Sequence, residues 1–163
     1  MERFCAYDLG ITWDLSTLET RDSTDAIVIH HSAGPAWQNA ENIHAAHRDG
    51  NGWVGIGYHY CINDAGEIQI GRPRDAIGAH AAGHNSNTIG ICVIGNYDMI
   101  EPSRDQIESL SMLIAALCYD YSVEINEHTI LGHCDLDATA CPGKYLYEML
   151  PVIIGKAIFY SEQ

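Results

Sequence analysis

Basic side chains are scarce: 8 lysines and arginines stand against 22 aspartates and glutamates in 163 residues, a formal net charge of −14. Binding to a phosphate backbone draws on cation contacts that release counterions, so nucleic acid is not an expected partner. The same acidity disfavours adsorption to anionic lipid or to an anionic wall polymer. Long apolar runs are missing as well. Without a run of about 18 apolar residues no membrane insertion is expected, and the opening residues Met1 to Asp8 show neither a basic leader nor a long apolar stretch. A protein made in the cytoplasm without a Sec signal is the expectation. The six cysteines include no CxxC pair and are too sparse for a small secreted scaffold, so most read as free, small core residues. Internal repeats and low-complexity segments are absent.

What is present is enough apolar material for a core: 47% of residues are hydrophobic and only 18% charged. A chain of this length forms one compact domain, and its pattern divides into an N-terminal arm, residues 1–25, and a domain over residues 26–163. Ala26 to Ile29 is a β-branched run that reads as a central strand and delivers His30, His31 and Ser32 at its C-terminal end. From Gln38 to Asp49 apolar positions recur at helical spacing until Gly50 and Gly52 stop them. Gly57 to Ile62 and Glu67 to Ile70 flank Asn63-Asp64-Ala65-Gly66, which predicts a hairpin. Thr88 to Gly95 reads as a buried strand, and Gly71 to Asn87 before it as a long, histidine-bearing loop, a kind of segment that is usually functional. Ser103 and Gln106 have capping-box spacing ahead of a helix carrying Ile107, Leu110, Ile114 and Leu117. His128 to Leu131 predicts a short strand, residues 132–143 a loop, and Lys144 onward a last helix, kinked or begun again at Pro151. Strands alternating with helices make this an α/β domain, a mixed central β-sheet flanked by helices.

Nine histidines in so acidic a chain exceed what a core requires. His133 and Cys141 lie eight apart in a loop punctuated by Pro142 and Gly143. Zinc suits imidazole nitrogen and thiolate sulfur together, and a catalytic zinc takes three protein ligands and leaves one position open. The third ligand has to come from far away in sequence, and the His30-His31 pair is the natural donor. Successive strand residues face opposite ways, so at most one of the two reaches the site; spacing alone does not choose.

The ordered set Ile29-His30-His31-Ser32-Ala33, Gly57-Tyr58-His59, Gly78-Ala79-His80, His84-Asn85 through Ile91, Ile94-Gly95-Asn96-Tyr97, and Gly132-His133-Cys134-Asp135 through Thr139-Ala140-Cys141-Pro142-Gly143 resembles the zinc-dependent N-acetylmuramoyl-L-alanine amidases. That family includes phage amidase-type lysozymes and peptidoglycan recognition proteins. The resemblance spans residues 26–149 and implies the mixed sheet already read from the pattern. It implies Zn2+ held by His30, His133 and Cys141, with His31 turned away. It places Tyr58 beside the reacting water and Thr139 at a position held by Lys or Thr in active members, where a hydroxyl is all it offers. No glutamate stands near Cys92, where a related branch carries its general base, so proton transfer falls to Tyr58 or to solvent at the metal.

The implied reaction is hydrolysis of the amide between N-acetylmuramic acid and L-alanine of the stem peptide, by a bacteriolytic, endolysin-like peptidoglycan hydrolase. Gly52 and Trp53, with Arg72 after the hairpin, match positions that favour meso-diaminopimelate in the stem peptide, Arg72 meeting its extra carboxylate. His47, His80 and Asn85 are further candidates to line the groove, although His80 and Asn85 could simply tie the long loop to itself. Peptidoglycan or muropeptides are the expected partners, reached after release from a phage-infected cell or by specialised export, with cytosolic recycling as the other setting. Two rival readings are a zinc-free peptidoglycan-binding receptor domain, against which Cys141 counts, and a cysteine hydrolase using Cys141 or Cys134. Pro142 and Gly143 do not make the helix N-terminus that activates a thiolate.

Overall fold

The structure, a computed structural model, describes residues 4–163. Its frame is a six-stranded mixed sheet in the order β1-β4-β3-β5-β2-β6. The β-branched run forms β2 (Ala26–His31), buried along its whole length as expected of a strand covered on both faces. It pairs in parallel with β5 (Thr88–Val93) on one side and with β6 (Ile130–Gly132) on the other. β3 (Tyr60–Ile62) runs parallel to β5 and turns through Asn63 to Gly66 into antiparallel β4 (Ile68–Ile70). The hairpin is therefore present, but Gly57 to His59 lie ahead of β3. They remain tied in, with the His59 N–H donating to Gly90 O and the Ala79 N–H to Gly57 O. Of the arm, residues 1–3 fall outside the described residues. The remainder contributes β1 (Ala6–Tyr7), parallel to β4 at the sheet edge, and a bridge between Thr20 and Ala76.

Strand alternation sorts the sheet into two faces. Ile27 and Ile29 of β2 and Ile89, Ile91 and Val93 of β5 join Leu110, Leu113, Ile114 and Leu117 of helix α2 (Arg104–Tyr121) and Leu146 and Ile153 of α3 (Lys144–Ser161) in the larger core. On the other face Cys61, Cys92 and Ile94 meet Ala40 and Ile43 of the short helix α1 (Ala40–Ala45), with Ile56, Tyr58 and the arm's Leu9, Ile11 and Trp13. His31 belongs with the first set and His30 with the second, because adjacent strand residues point opposite ways.

Helix ends follow the sequence. Ser103 caps α2 in the expected box with Gln106, and Asn39 caps α1 in a box with Asn42. The stretch expected to stay helical to Asp49 opens after α1 into a π turn, Ala46–Gly50, a deviation common near functional sites. α3 does not restart at Pro151; it passes through it as one element, with the proline exposed. No helix of the described residues is long and apolar enough to cross a membrane.

Candidate metal centre

The C-terminal ends of two parallel neighbours, β2 and β6, bring three donors together. His30 is the fifth residue of β2, and His133 opens a turn (His133–Asp135) directly after β6. The loop that follows folds back so that the Cys134 N–H donates to Cys141 O at 2.8 Å. Asp135 fastens its base, accepting from the Gly132 N–H at 2.9 Å and from the Tyr147 hydroxyl at 2.6 Å. Gly143 closes the loop at φ +91°, where an added Cβ would lie 2.6 Å from the backbone of Tyr97; only glycine combines that conformation with that approach. As a result one ligand atom from each of His30, His133 and Cys141 lies within 4.8 Å of the other two, and no other such group of three exists among the described residues. His31, facing the other way, accepts from the Tyr97 N–H through Nδ1.

The ring nitrogens are oriented from behind. His133 Nε2 lies 2.9 Å from Asp137 Oδ2, and His30 Nε2 lies 3.0 Å from His80 Nδ1. Both contacts leave Nδ1 as the free nitrogen, and that of His30 faces Cys141 Sγ at 3.6 Å. Zinc bonds of about 2.1 Å to nitrogen and 2.3 Å to sulfur, meeting at a tetrahedral angle, separate the two atoms by about 3.6 Å. That pair therefore has the spacing, and the three donors together the chemistry, that a metal ion asks for. Burial disfavours charge on two of the three donors. It holds the His30 imidazole well below its ordinary value, with His80 and His133 adding to the effect, and pushes the Cys141 thiol up to about 12. A thiol so placed is not a free thiolate nucleophile at neutral pH, which counts against the cysteine-hydrolase reading.

Around this centre Tyr58 packs its ring 5.0 Å from that of His30 and 5.6 Å from that of His47. Burial raises its phenol well above the ordinary value, so it keeps its proton, and among the described residues its hydroxyl has no hydrogen-bond partner. His47 accepts from the Gly57 N–H through Nδ1 and packs edge-on to Trp53 at 4.8 Å. Trp53 is 41% exposed. Gly52 before it has φ +70° with open space where a side chain would be. His30, Tyr58, His47 and Trp53 thus form a continuous step from the donors to the surface. On the loop side the Thr139 hydroxyl accepts from the Cys141 N–H at 3.2 Å and keeps its own proton to donate.

Three of the expected groove residues are hydrogen-bonded within the protein. Arg72 is only 5% exposed, and its guanidinium donates to Ile56 O, Ile77 O and Gly55 O while covering the Trp13 ring. Three of its five N–H donors clamp the Gly55 to Tyr58 segment and Ile77 from below. Asn85 accepts from the His80 and Ala81 N–H groups, both at 2.9 Å, tying the loop to itself. His80 is buried behind His30. Sequence reasoning missed Asp137, the partner of His133; its signal was a carboxylate four residues on in the same loop.

Three donors able to hold a metal ion thus stand at the end of a mixed sheet, flanked by an uncommitted tyrosine hydroxyl. The family model described as N-acetylmuramoyl-L-alanine amidase matches residues 20–144. The endolysin of Escherichia phage T7 is 34% identical over 131 residues, covering 75% of this chain and 82% of that one. Among solved structures, the amidase LysC from Clostridium intestinale URNW superposes with a TM-score of 0.83 at 30% identity, over 93% of this chain and 97% of that chain. A point mutant of Drosophila PGRP-LB in complex with tracheal cytotoxin superposes with a TM-score of 0.78 at 26% identity, over 88% of this chain and 92% of that one. The chain belongs to the N-acetylmuramoyl-L-alanine amidase family. It is an endolysin-like peptidoglycan hydrolase that cleaves the amide between N-acetylmuramic acid and L-alanine of the stem peptide.

Proposed function

We propose that the amidase works with one zinc ion held by His30, His133 and Cys141, and that its substrate is peptidoglycan of the meso-diaminopimelate type. The observation that carries the zinc reading is the convergence of two imidazoles and a thiol within 4.8 Å, each imidazole backed on its far nitrogen. Zinc in such a set supplies Lewis-acid chemistry, polarising a carbonyl and bringing the pKa of water to about 7.

The chain's own groups do the rest. Hydrolysis forms a C–O bond at the lactyl carbonyl and breaks the C–N bond, and the alanine nitrogen leaves once it has gained a proton. Tyr58 offers an O–H that stays protonated at neutral pH and has no competing protein acceptor, so it positions the attacking water and relays the proton. The Thr139 hydroxyl donates to the oxygen that gains negative charge. Trp53 and His47 make the wall on which the stem peptide lies, with Gly52 giving the turn that presents Trp53. Arg72 and Asn85 support that wall and its neighbouring loop. The diaminopimelate preference rests on the resemblance carried by Gly52 and Trp53, with Arg72 acting through the loop it clamps. The site of action is the cell wall after release from the producing cell, in keeping with the endolysin relatives.

The test is the release of new amino termini from purified diaminopimelate-type and lysine-type walls by the same enzyme, before chelation, after it, and after zinc is restored. N-terminal alanine from the first wall in excess of the second, lost with chelator and regained with zinc, is the expected result. Equal release from both walls removes the diaminopimelate reading, and release indifferent to chelator removes the zinc reading. Tight wall binding without any release points to a receptor.

A further inference from the structure

We propose that His80 is a positioning residue for the metal centre: it fixes the ring orientation and tautomer of His30 through a one-way hydrogen-bond relay ending on a backbone carbonyl. The proposal rests on the zinc reading above and concerns how the site is prepared to receive the ion.

The relay runs from His30 Nε2 to His80 Nδ1 at 3.0 Å, from His80 Nε2 to Thr88 Oγ1 at 3.3 Å, and from the Thr88 hydroxyl to His84 O at 2.6 Å. A carbonyl only accepts, so the last link commits the Thr88 proton to His84 O. Thr88 Oγ1 is then an acceptor toward His80, which puts the His80 proton on Nε2 and leaves its Nδ1 bare. A bare Nδ1 in turn needs a donor, and the ring atom facing it is His30 Nε2. The His30 proton therefore sits on Nε2, and the lone pair on Nδ1 is left aimed at Cys141 Sγ, 3.6 Å away. The direction of every link follows from the one at the carbonyl.

The surroundings are built around this ring. A Cβ on Gly90 of β5 would lie 2.5 Å from His80 Cγ, and one on Gly78 would lie 2.6 Å from His80 Cδ2. Two glycines thus open the slot that the imidazole fills. The Asn85 side chain accepts from the His80 and Ala81 N–H groups and holds the backbone at that height. His80 is 7% exposed, so it meets no polymeric substrate, and a role in binding the stem peptide does not account for its placement. Partners behind a metal-ligating histidine usually set the ligand tautomer in this way, and their loss weakens metal affinity.

Two measurements test the relay. The first is nitrogen NMR of the imidazoles in the metal-free wild-type protein, which is expected to find the His30 proton on Nε2. The second is zinc affinity by competition with a chromophoric chelator for wild type, His80→Leu and His80→Asn. Affinity is expected to fall about 10- to 100-fold in H80L and to stay near wild type in H80N, whose amide oxygen can still accept from His30. A His30 proton on Nδ1, or H80L binding zinc as tightly as wild type, overturns the proposal. If H80L does not fold, H80N and the tautomer decide it. Wild-type protein that binds no zinc brings down the zinc reading instead, and the tautomer, measured without metal, still decides the relay.

Discussion

Histidine does different work at neighbouring positions of this chain, and side-chain direction decides which. His30 and His31 are adjacent, yet one ring joins the donor cluster while the other accepts from the Tyr97 N–H on the opposite face. That split was legible in the sequence, since a regular strand cannot aim both at one point; which of the two faces inward needed the family resemblance. Arg72 and His80 were not legible. Their partners are backbone carbonyls and rings far off in sequence, and a sequence gives no sign of which carbonyls a turn will leave unpaired. Tyr58 carries the residue-scale prediction. Tyr58→Phe removes only the free hydroxyl, so kcat is expected to fall by about 10²- to 10³-fold with KM and zinc content unchanged. Unaltered turnover in a zinc-loaded Y58F enzyme would remove Tyr58 from the chemistry.

At the scale of elements, the pattern-bearing pieces were readable and the context-bearing ones were not. The α2 cap was visible as Ser103 and Gln106, and the structure adds why Gln106 matters beyond the helix. Its side chain is buried, accepting from the Tyr97 hydroxyl and the Ser103 N–H and donating to Asn63 O and Ile94 O. It thereby joins α2 to the ends of β3 and β5. Gln106→Ala leaves several of these groups unpaired and is expected to cost about 2–4 kcal/mol in urea unfolding. A cost no larger than that of an exposed alanine substitution on α2 would contradict that role. The π turn after α1, the parallel pairing of β1 with β4 and the uninterrupted passage of α3 through Pro151 depend on what packs against each segment. Local sequence does not encode that.

For the molecule as a whole, burial of histidine ties stability to pH. His59 is fully buried, its Nδ1 accepting from the Gly90 N–H and its Nε2 donating to Ala76 O. Burial lowers its value from 6.5 to about 3, with Arg21 and Arg72 adding slightly and the Ala76 carbonyl opposing. An unfolded chain takes up that proton near 6.5 and the folded chain only near 3, so the unfolded state holds more protons between those values. His59 stabilisation is complete above 6.5 and is lost as pH falls, at about 1.4 kcal/mol per pH unit. His30 and His80 shift in the same direction. The metal-free protein should therefore unfold at lower urea at pH 5 than at pH 7; equal midpoints would contradict the buried, neutral assignment. Whole-molecule charge, −14, was read directly from composition, whereas the placement of the site at the ends of β2 and β6 required the strand order.

The measurement that tests the account most directly is a zinc titration into chelated, metal-free enzyme with release of N-terminal alanine from diaminopimelate-type wall followed at each addition. No release at the start, a linear rise, and a plateau at one zinc per chain are expected, with His133→Ala and Cys141→Ser silent throughout at matched folding. Full release before any zinc is added, or from the C141S protein, would contradict the account.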